Sequence, residues 1–182
     1  MKFWLQESYL KAWNFASYYH RNQKVPGKDL PYINHVGSVT MEIMSAIVQT
    51  NPVDKPDLAV QCALLHDLIE DTEIGYDKIK DEFGSAVADG VGALSKNKDL
   101  KTKSERMRDS LKRIKKQPKE IWMVKLADRI TNLQPPPYYW TKNKIEQYRN
   151  EAIEIHDALK GANDVLSSRL LYKIEQYEKY TE

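Results

Sequence analysis

Glycine and proline are scarce in this 182-residue chain, at 7 and 8 residues, below the share that average proteins devote to turns. A many-stranded β architecture is thereby disfavoured, and a helical chain is expected. Cysteine is nearly absent. The one thiol, Cys62, cannot close an internal disulfide and lies in an apolar run where it serves as a small core residue, which fits a reducing cytoplasm. No stretch approaches the roughly 18 apolar residues of a membrane span, and the opening MKFWLQESYL places Gln6 and Glu7 where a secretory signal needs an apolar core. Neither membrane attachment nor secretion is expected. Net charge is also small: 28 basic against 26 acidic side chains lack the domain-wide basic excess of a duplex nucleic-acid binder. What is present, 41% hydrophobic and 30% charged residues, suits one globular domain spanning 1–182.

The balance conceals a local asymmetry. Between Lys96 and Lys119 eleven basic residues face only Asp99, Glu105 and Asp109, whereas Asp67 to Glu82 holds seven carboxylates against Lys78 and Lys80. The basic segment is either a solvated helix face or a positive rim that draws a small polyanion toward a site elsewhere.

Periodicity places helices along the whole chain. Tyr9, Trp13, Ala16 and His20 share one face over 3–20, and Val36, Val39, Ile43 and Ile47 do so over 33–49, with the loop VPGKDLP (25–31) between them. TNPVDKP (50–56) is a break. Asp57 to Glu70 is apolar around nearly its whole circumference and is expected to be the central, fully buried helix. Short helices follow at 76–83 and 85–94, joined at Gly84, and then the basic helix 100–116. IWMVKLADRITNL, after Pro118, is a second strongly apolar helix that Pro135–Pro137 must end. Two amphipathic helices close the chain, with Gly161 as the stop between them. The expected fold is all-α, a bundle of seven to nine helices.

Chemistry is expected where polar residues sit in apolar helices. His66, Asp67, Glu70 and Asp71 crowd the end of the most apolar segment, and carboxylates withdrawn from water need a cation or an opening to solvent. His35, at the start of a helix, and Asp128, central to VKLADRITNL, are the other candidates. If these helices pack together, His35, His66, Asp67 and Asp128 offer two nitrogen and two oxygen donors to one divalent ion, with positions left for water and substrate. Glu70 and Asp71 could then orient the attacking water and relay its proton. Asn132, four residues past Asp128, would face the same site, and Lys125 lies within one turn of it. The second His–Asp pair, His156–Asp157, lies on an ordinary amphipathic helix and reads as a boundary residue with its neighbour. Trp122, Trp140 and Tyr148 stand at helical spacing and read as core rather than as base-stacking platforms.

Three patches, HRNQKVPGKDLPYINHVGSV (20–39), ALLHDLIEDT (63–72) and VKLADRITNL (124–133), resemble the HD-domain metal phosphohydrolases, and among them the hydrolase domain of the RelA/SpoT alarmone enzymes and the free-standing small alarmone hydrolases. The resemblance implies an HD helical bundle and a manganese ion on His35, His66, Asp67 and Asp128. It further implies Glu70 and Asp71 serving the water, and hydrolysis of the 3′-pyrophosphate of ppGpp-like nucleotides. It places Ser95 and Lys96 near the substrate and His20 behind the ligands. One departure stands out: Val25 and Pro26 occupy places where the family usually has Arg and Lys holding the nucleotide. Lys24, Lys28 or Arg21 are left to take that part. Two other functions remain open: release of inorganic phosphate from another nucleotide or dinucleotide cofactor, and a catalytically silent nucleotide sensor.

Overall fold

A computed structural model describes residues 3–50 and 52–181. Asn51, within the expected break, and Met1 and Lys2 of the opening segment lie outside them. Among the described residues the chain forms ten α-helical segments and no strand, only a lone antiparallel bridge between Lys24 and Pro31. They are α1 (Gln6–Tyr19), α2 (Ile33–Gln49), α3 (Pro56–Leu65), α4 (Leu68–Asp71), α5 (Tyr76–Phe83), α6 (Ser85–Leu94), α7 (Lys103–Ile114), α8 (Lys119–Asn132), α9 (Lys142–Leu159) and α10 (Asp164–Tyr177). The all-α expectation holds. No helix among the described residues is long and apolar enough to cross a membrane.

The count exceeds nine because the central helix, expected to run from Asp57 to Glu70, breaks into α3 and α4. His66 Nδ1 lies 2.8 Å from the Ala63 carbonyl oxygen, the acceptor a continuing helix would offer to the Asp67 N–H. Asp67 leaves helical geometry, with φ −100° and ψ −2°. The break turns the Asp67 carboxylate back toward the His66 ring.

α3 packs against α1, α2, α6 and α8, and α8 in turn against α2, α9 and α10, so these two largely buried helices form the axis of the bundle. Their apolar side chains are almost all inaccessible, and burial of this kind is the main favourable contribution to folding. α6 can approach that axis only because it carries glycine: a Cβ on Gly90 would lie 2.5 Å from Ile121 Cδ1 and 2.8 Å from Cys62 Sγ. Cys62 is fully buried there, as a core residue. Gly84, at φ 85°, joins α5 to α6. Gly161 does not stop α9 by a left-handed turn, since among the described residues only Gly27 and Gly84 have positive φ. Asn163 instead starts α10 by accepting the Leu166 N–H at 3.0 Å.

The basic segment serves several purposes. α7 starts in a capping box formed by Thr102 and Glu105, and Arg113 reaches across to the last carbonyls of α6, with Nη2 2.6 Å from the Ser95 oxygen. Its apolar stripe, Met107, Leu111 and Ile114, is buried.

Candidate functional site

Four side chains from three places in the chain meet between α2, the α3–α4 break and α8. His35 Nε2 is 3.6 Å from both Asp67 Oδ2 and Asp128 Oδ1. His66 Nε2 is 2.8 Å from Asp67 Oδ2 and 3.9 Å from Asp128 Oδ1. His35, His66 and Asp128 each offer a ligand atom within 4.8 Å of the others, and Asp67 adjoins both imidazoles.

The donor set fits a divalent cation. Because His66 Nδ1 donates to the Ala63 carbonyl, Nε2 of the neutral ring carries the lone pair, and that buried atom has no hydrogen-bond partner among the described residues. A lone pair facing a carboxylate oxygen at 2.8 Å is repulsive unless a positive charge lies between them. His35 is arranged in the same way. Its Nδ1 lies 3.5 Å from the Thr131 hydroxyl, which itself donates to the Asp128 backbone oxygen at 2.9 Å, so Nε2 again faces the carboxylates. Without a metal, protons take the cation's place: burial opposes charging of His35, but Asp128 and Asp67 outweigh it and raise its pKa to about 9. Burial would likewise keep Asp128 protonated, yet Lys125 and the two histidines hold its carboxyl far below the usual range.

A shell of hydrogen bonds orients these groups. The Tyr32 hydroxyl donates to Asp67 Oδ2 at 2.5 Å, one turn before His35 on the same helix end. Lys125 Nζ donates to Asp128 Oδ2 at 2.9 Å, and Asn132 Nδ2 to Asp128 Oδ1 at 2.5 Å. His20 is buried against the Tyr32 ring, 4.9 Å between centroids. Its Nδ1 meets Gln23 Oε1 at 2.7 Å, and Gln23 donates to the Asp71 backbone oxygen at 2.6 Å.

Two cavities open on the cluster. The first, of about 440 Å³, is lined by His66, Asp67, Glu70, Asp71 and Asp128 together with the cations Lys96, Lys103, Arg106, Arg129 and Lys144. The second, of about 430 Å³, is lined by His35, Val25, Pro26, Lys28, Asn34 and the Pro135–Pro137 run, and extends to Arg169 and Lys173. Asn132, Trp140 and Tyr148 belong to both linings and form the partition. Within the first, Glu70 is fixed: its carboxylate accepts the Lys96 backbone N–H at 3.0 Å and Lys96 Nζ at 2.8 Å. Asp71 is raised to about 6, first by burial and then by repulsion from Asp67 and Glu70.

The expected residues therefore divide. His35, His66, Asp67, Glu70, Asp71, Lys96, Asp128 and Asn132 come together. Lys28 lines the second cavity. Lys24 does not reach either lining, because its ammonium pairs with Asp29 on the surface. Ser95 also lines neither: it is buried, and its hydroxyl donates to the Val91 carbonyl at 2.8 Å. Lys125 lines the first cavity, but its ammonium is already engaged by Asp128. Trp122, Trp140 and Tyr148 all pack against the core as expected, and Trp140 and Tyr148 also line both cavities. Sequence reasoning missed Tyr32, Lys103, Arg106, Arg129 and Lys144 as parts of the site. Lys103 and Arg106 left a signal as members of the basic segment 96–119, Arg129 adjoins Asp128, and Tyr32 stands three residues before His35 at a helix entry.

This arrangement defines a class. Residues 12–165 match the HD-domain family, and the chain belongs to it. Among individual relatives it is 31% identical over 166 residues to the zebrafish (Danio rerio) protein named guanosine-3′,5′-bis(diphosphate) 3′-pyrophosphohydrolase MESH1, covering 88% of this chain and 89% of that one. The Xenopus tropicalis protein of the same name is 34% identical over 168 residues, again covering 88% and 89%. A solved structure described as a metazoan ortholog of SpoT that hydrolyzes ppGpp superposes with a TM-score of 0.82 at 28% identity, over 96% of this chain and 98% of that one.

Proposed function

We propose that the chain is a metal-dependent hydrolase that removes the 3′-pyrophosphate of guanosine-3′,5′-bis(diphosphate)-like nucleotides. The observation that carries this reading is the position of the cluster. Two imidazole lone pairs and two aspartates meet where a cavity with a cationic wall adjoins one with room for a nucleoside. The relatives named for this reaction align over nearly the whole chain.

His35, His66, Asp67 and Asp128 would hold the ion, proposed to be manganese, which such mixed nitrogen and oxygen ligands suit. When bound, the ion supplies Lewis-acid activation of water and polarises the phosphoryl oxygen. Glu70, held by Lys96, orients the attacking water. Asp71, with a pKa near 6, accepts its proton. The water oxygen bonds to the phosphorus carried on the 3′-oxygen, the 3′-O–P bond breaks, and the 3′-oxygen takes a proton as the nucleoside diphosphate and pyrophosphate separate. Asn132, at the partition, hydrogen-bonds a ribose or phosphate oxygen, and Lys28 approaches the nucleotide from the second cavity. The same reading makes residues 1–182 one domain acting on a small nucleotide in the cytoplasm, without duplex nucleic acid or membrane.

A second reading draws on Val25 and Pro26, which line the second cavity where the resemblance leads one to expect Arg and Lys: release of inorganic phosphate from another nucleotide or dinucleotide. A substrate panel with manganese, scored for pyrophosphate against phosphate, separates them. Pyrophosphate from ppGpp is expected. Phosphate alone supports the second reading, and no product from any nucleotide leaves a silent sensor.

A further inference from the structure

Arg129 follows Asp128 directly and lines the first cavity, yet it is 6% exposed. Its guanidinium lies over the Tyr148 ring, 4.2 Å from the centroid. The nearest carboxylate, Glu151, stands 3.5 Å from Nη2, a long contact for a charge-assisted bond. Nε and Nη1 are buried and have no hydrogen-bond partner among the described residues. Unsatisfied donors on a buried cation are costly, and the remaining walls of the bundle satisfy their guanidiniums: Arg113 and Arg106 bond backbone carbonyls, and Arg169 forks onto Glu42. Arg129 is the exception, and it borders the cavity that also contains Lys96, Lys103, Arg106 and Lys144.

We infer that Arg129 binds the pyrophosphate end of the substrate, an inference that rests on the pyrophosphate-releasing reading above. The planar fork matches two phosphate oxygens, and an entering phosphate competes with Glu151 for it. As the guanidinium is drawn from the Tyr148 ring, Nε and Nη1 gain the acceptors they lack.

The test is calorimetric titration of inorganic pyrophosphate into manganese-loaded protein freed of excess metal, with Arg129→Lys, Arg129→Gln and Glu151→Gln. Arg129→Lys keeps the charge and loses the fork. It should weaken pyrophosphate binding about tenfold, the worth of one charge-assisted hydrogen bond, with manganese affinity unchanged. Glu151→Gln leaves Arg129 in place and removes its competitor, so it should tighten pyrophosphate binding. Equal binding by the native protein and all three variants overturns the assignment, as does native protein that does not bind pyrophosphate. Should Arg129→Gln fail to fold, the opposite shifts of Arg129→Lys and Glu151→Gln still decide. Arg129-dependent pyrophosphate binding without ppGpp hydrolysis would preserve this inference and defeat the proposed reaction.

Discussion

His66–Asp67 and His156–Asp157 are the same dipeptide in two settings. Asp67 sits at a helix break, its side chain 18% exposed, and its oxygen lies 2.8 Å from His66 Nε2. Asp157 continues α9, is 62% exposed and pairs with Lys160. His156 bonds Ser167 across to α10, its Nε2 3.1 Å from the hydroxyl, which leaves no lone pair facing a second carboxylate. A His–Asp pair thus acquires ligand character from its backbone and from what faces it, here His35 and Asp128, rather than from adjacency.

The sharpest way to break that comparison is to remove both pairs in turn. His66→Ala or Asp67→Ala should abolish manganese binding and hydrolysis together, and chelation of metal should do the same to the native protein. His156→Ala or Asp157→Ala should leave both within about twofold, since neither side chain lines either cavity. Metal content by elemental analysis and a pyrophosphate-release assay check the contrast. Next in size is Glu70→Gln, which should retain bound metal yet lower kcat about 10²–10⁴-fold, the usual contribution of a positioned acid or base; unchanged turnover would remove Glu70 from the mechanism. Tyr32→Phe deletes the hydroxyl that His156–Asp157 has no counterpart for, and should weaken manganese affinity about 10- to 100-fold, measured by metal titration.

A smaller effect is expected from pH. Asp71 must be ionised to accept a proton, so activity should fall about tenfold per unit on the acid side. The limb should lie at or below its raised value of about 6, since a cation offsets the charge of Asp67. Asp71→Asn should erase the limb along with most of the rate. Smallest is the basic segment: neutralising Lys103 and Arg106, which line the first cavity, should raise KM at low salt, whereas neutralising Lys112, Lys115 and Lys116 should not.

Most of the architecture was legible because apolar period and punctuation agree along this chain. α2, α5 and α6 begin and end where Val36–Ile47, Gly84 and the flanking polar residues place them. The break at His66 was not legible, since it depends on a side chain competing with the backbone for the Ala63 carbonyl, which periodicity does not register. The cluster of His35, His66, Asp67 and Asp128 was legible for a related reason: charged groups in apolar helices have few explanations. Lys24 and Ser95, expected near the substrate through the family resemblance, lie outside both linings because of local partners that a resemblance does not register, Asp29 and the Val91 carbonyl. Lys103 and Arg106 were visible only as part of a basic segment that reads equally as a solvated face or a positive rim, and Lys144 only as one charge on an amphipathic helix. Tyr148 does pack against the core as its spacing indicates, and that apolar context hid its place in the cavity linings, as it hid that of Arg129.

The partition of Asn132, Trp140 and Tyr148 also matters for inhibitor chemistry. Two chambers of similar size that share three lining side chains invite linked fragments, one anionic and one flat and apolar. Once either half is seated, a tether bent over Asn132 would hold the other at high local concentration, so that joined weak binders gain far more than their separate affinities foretell.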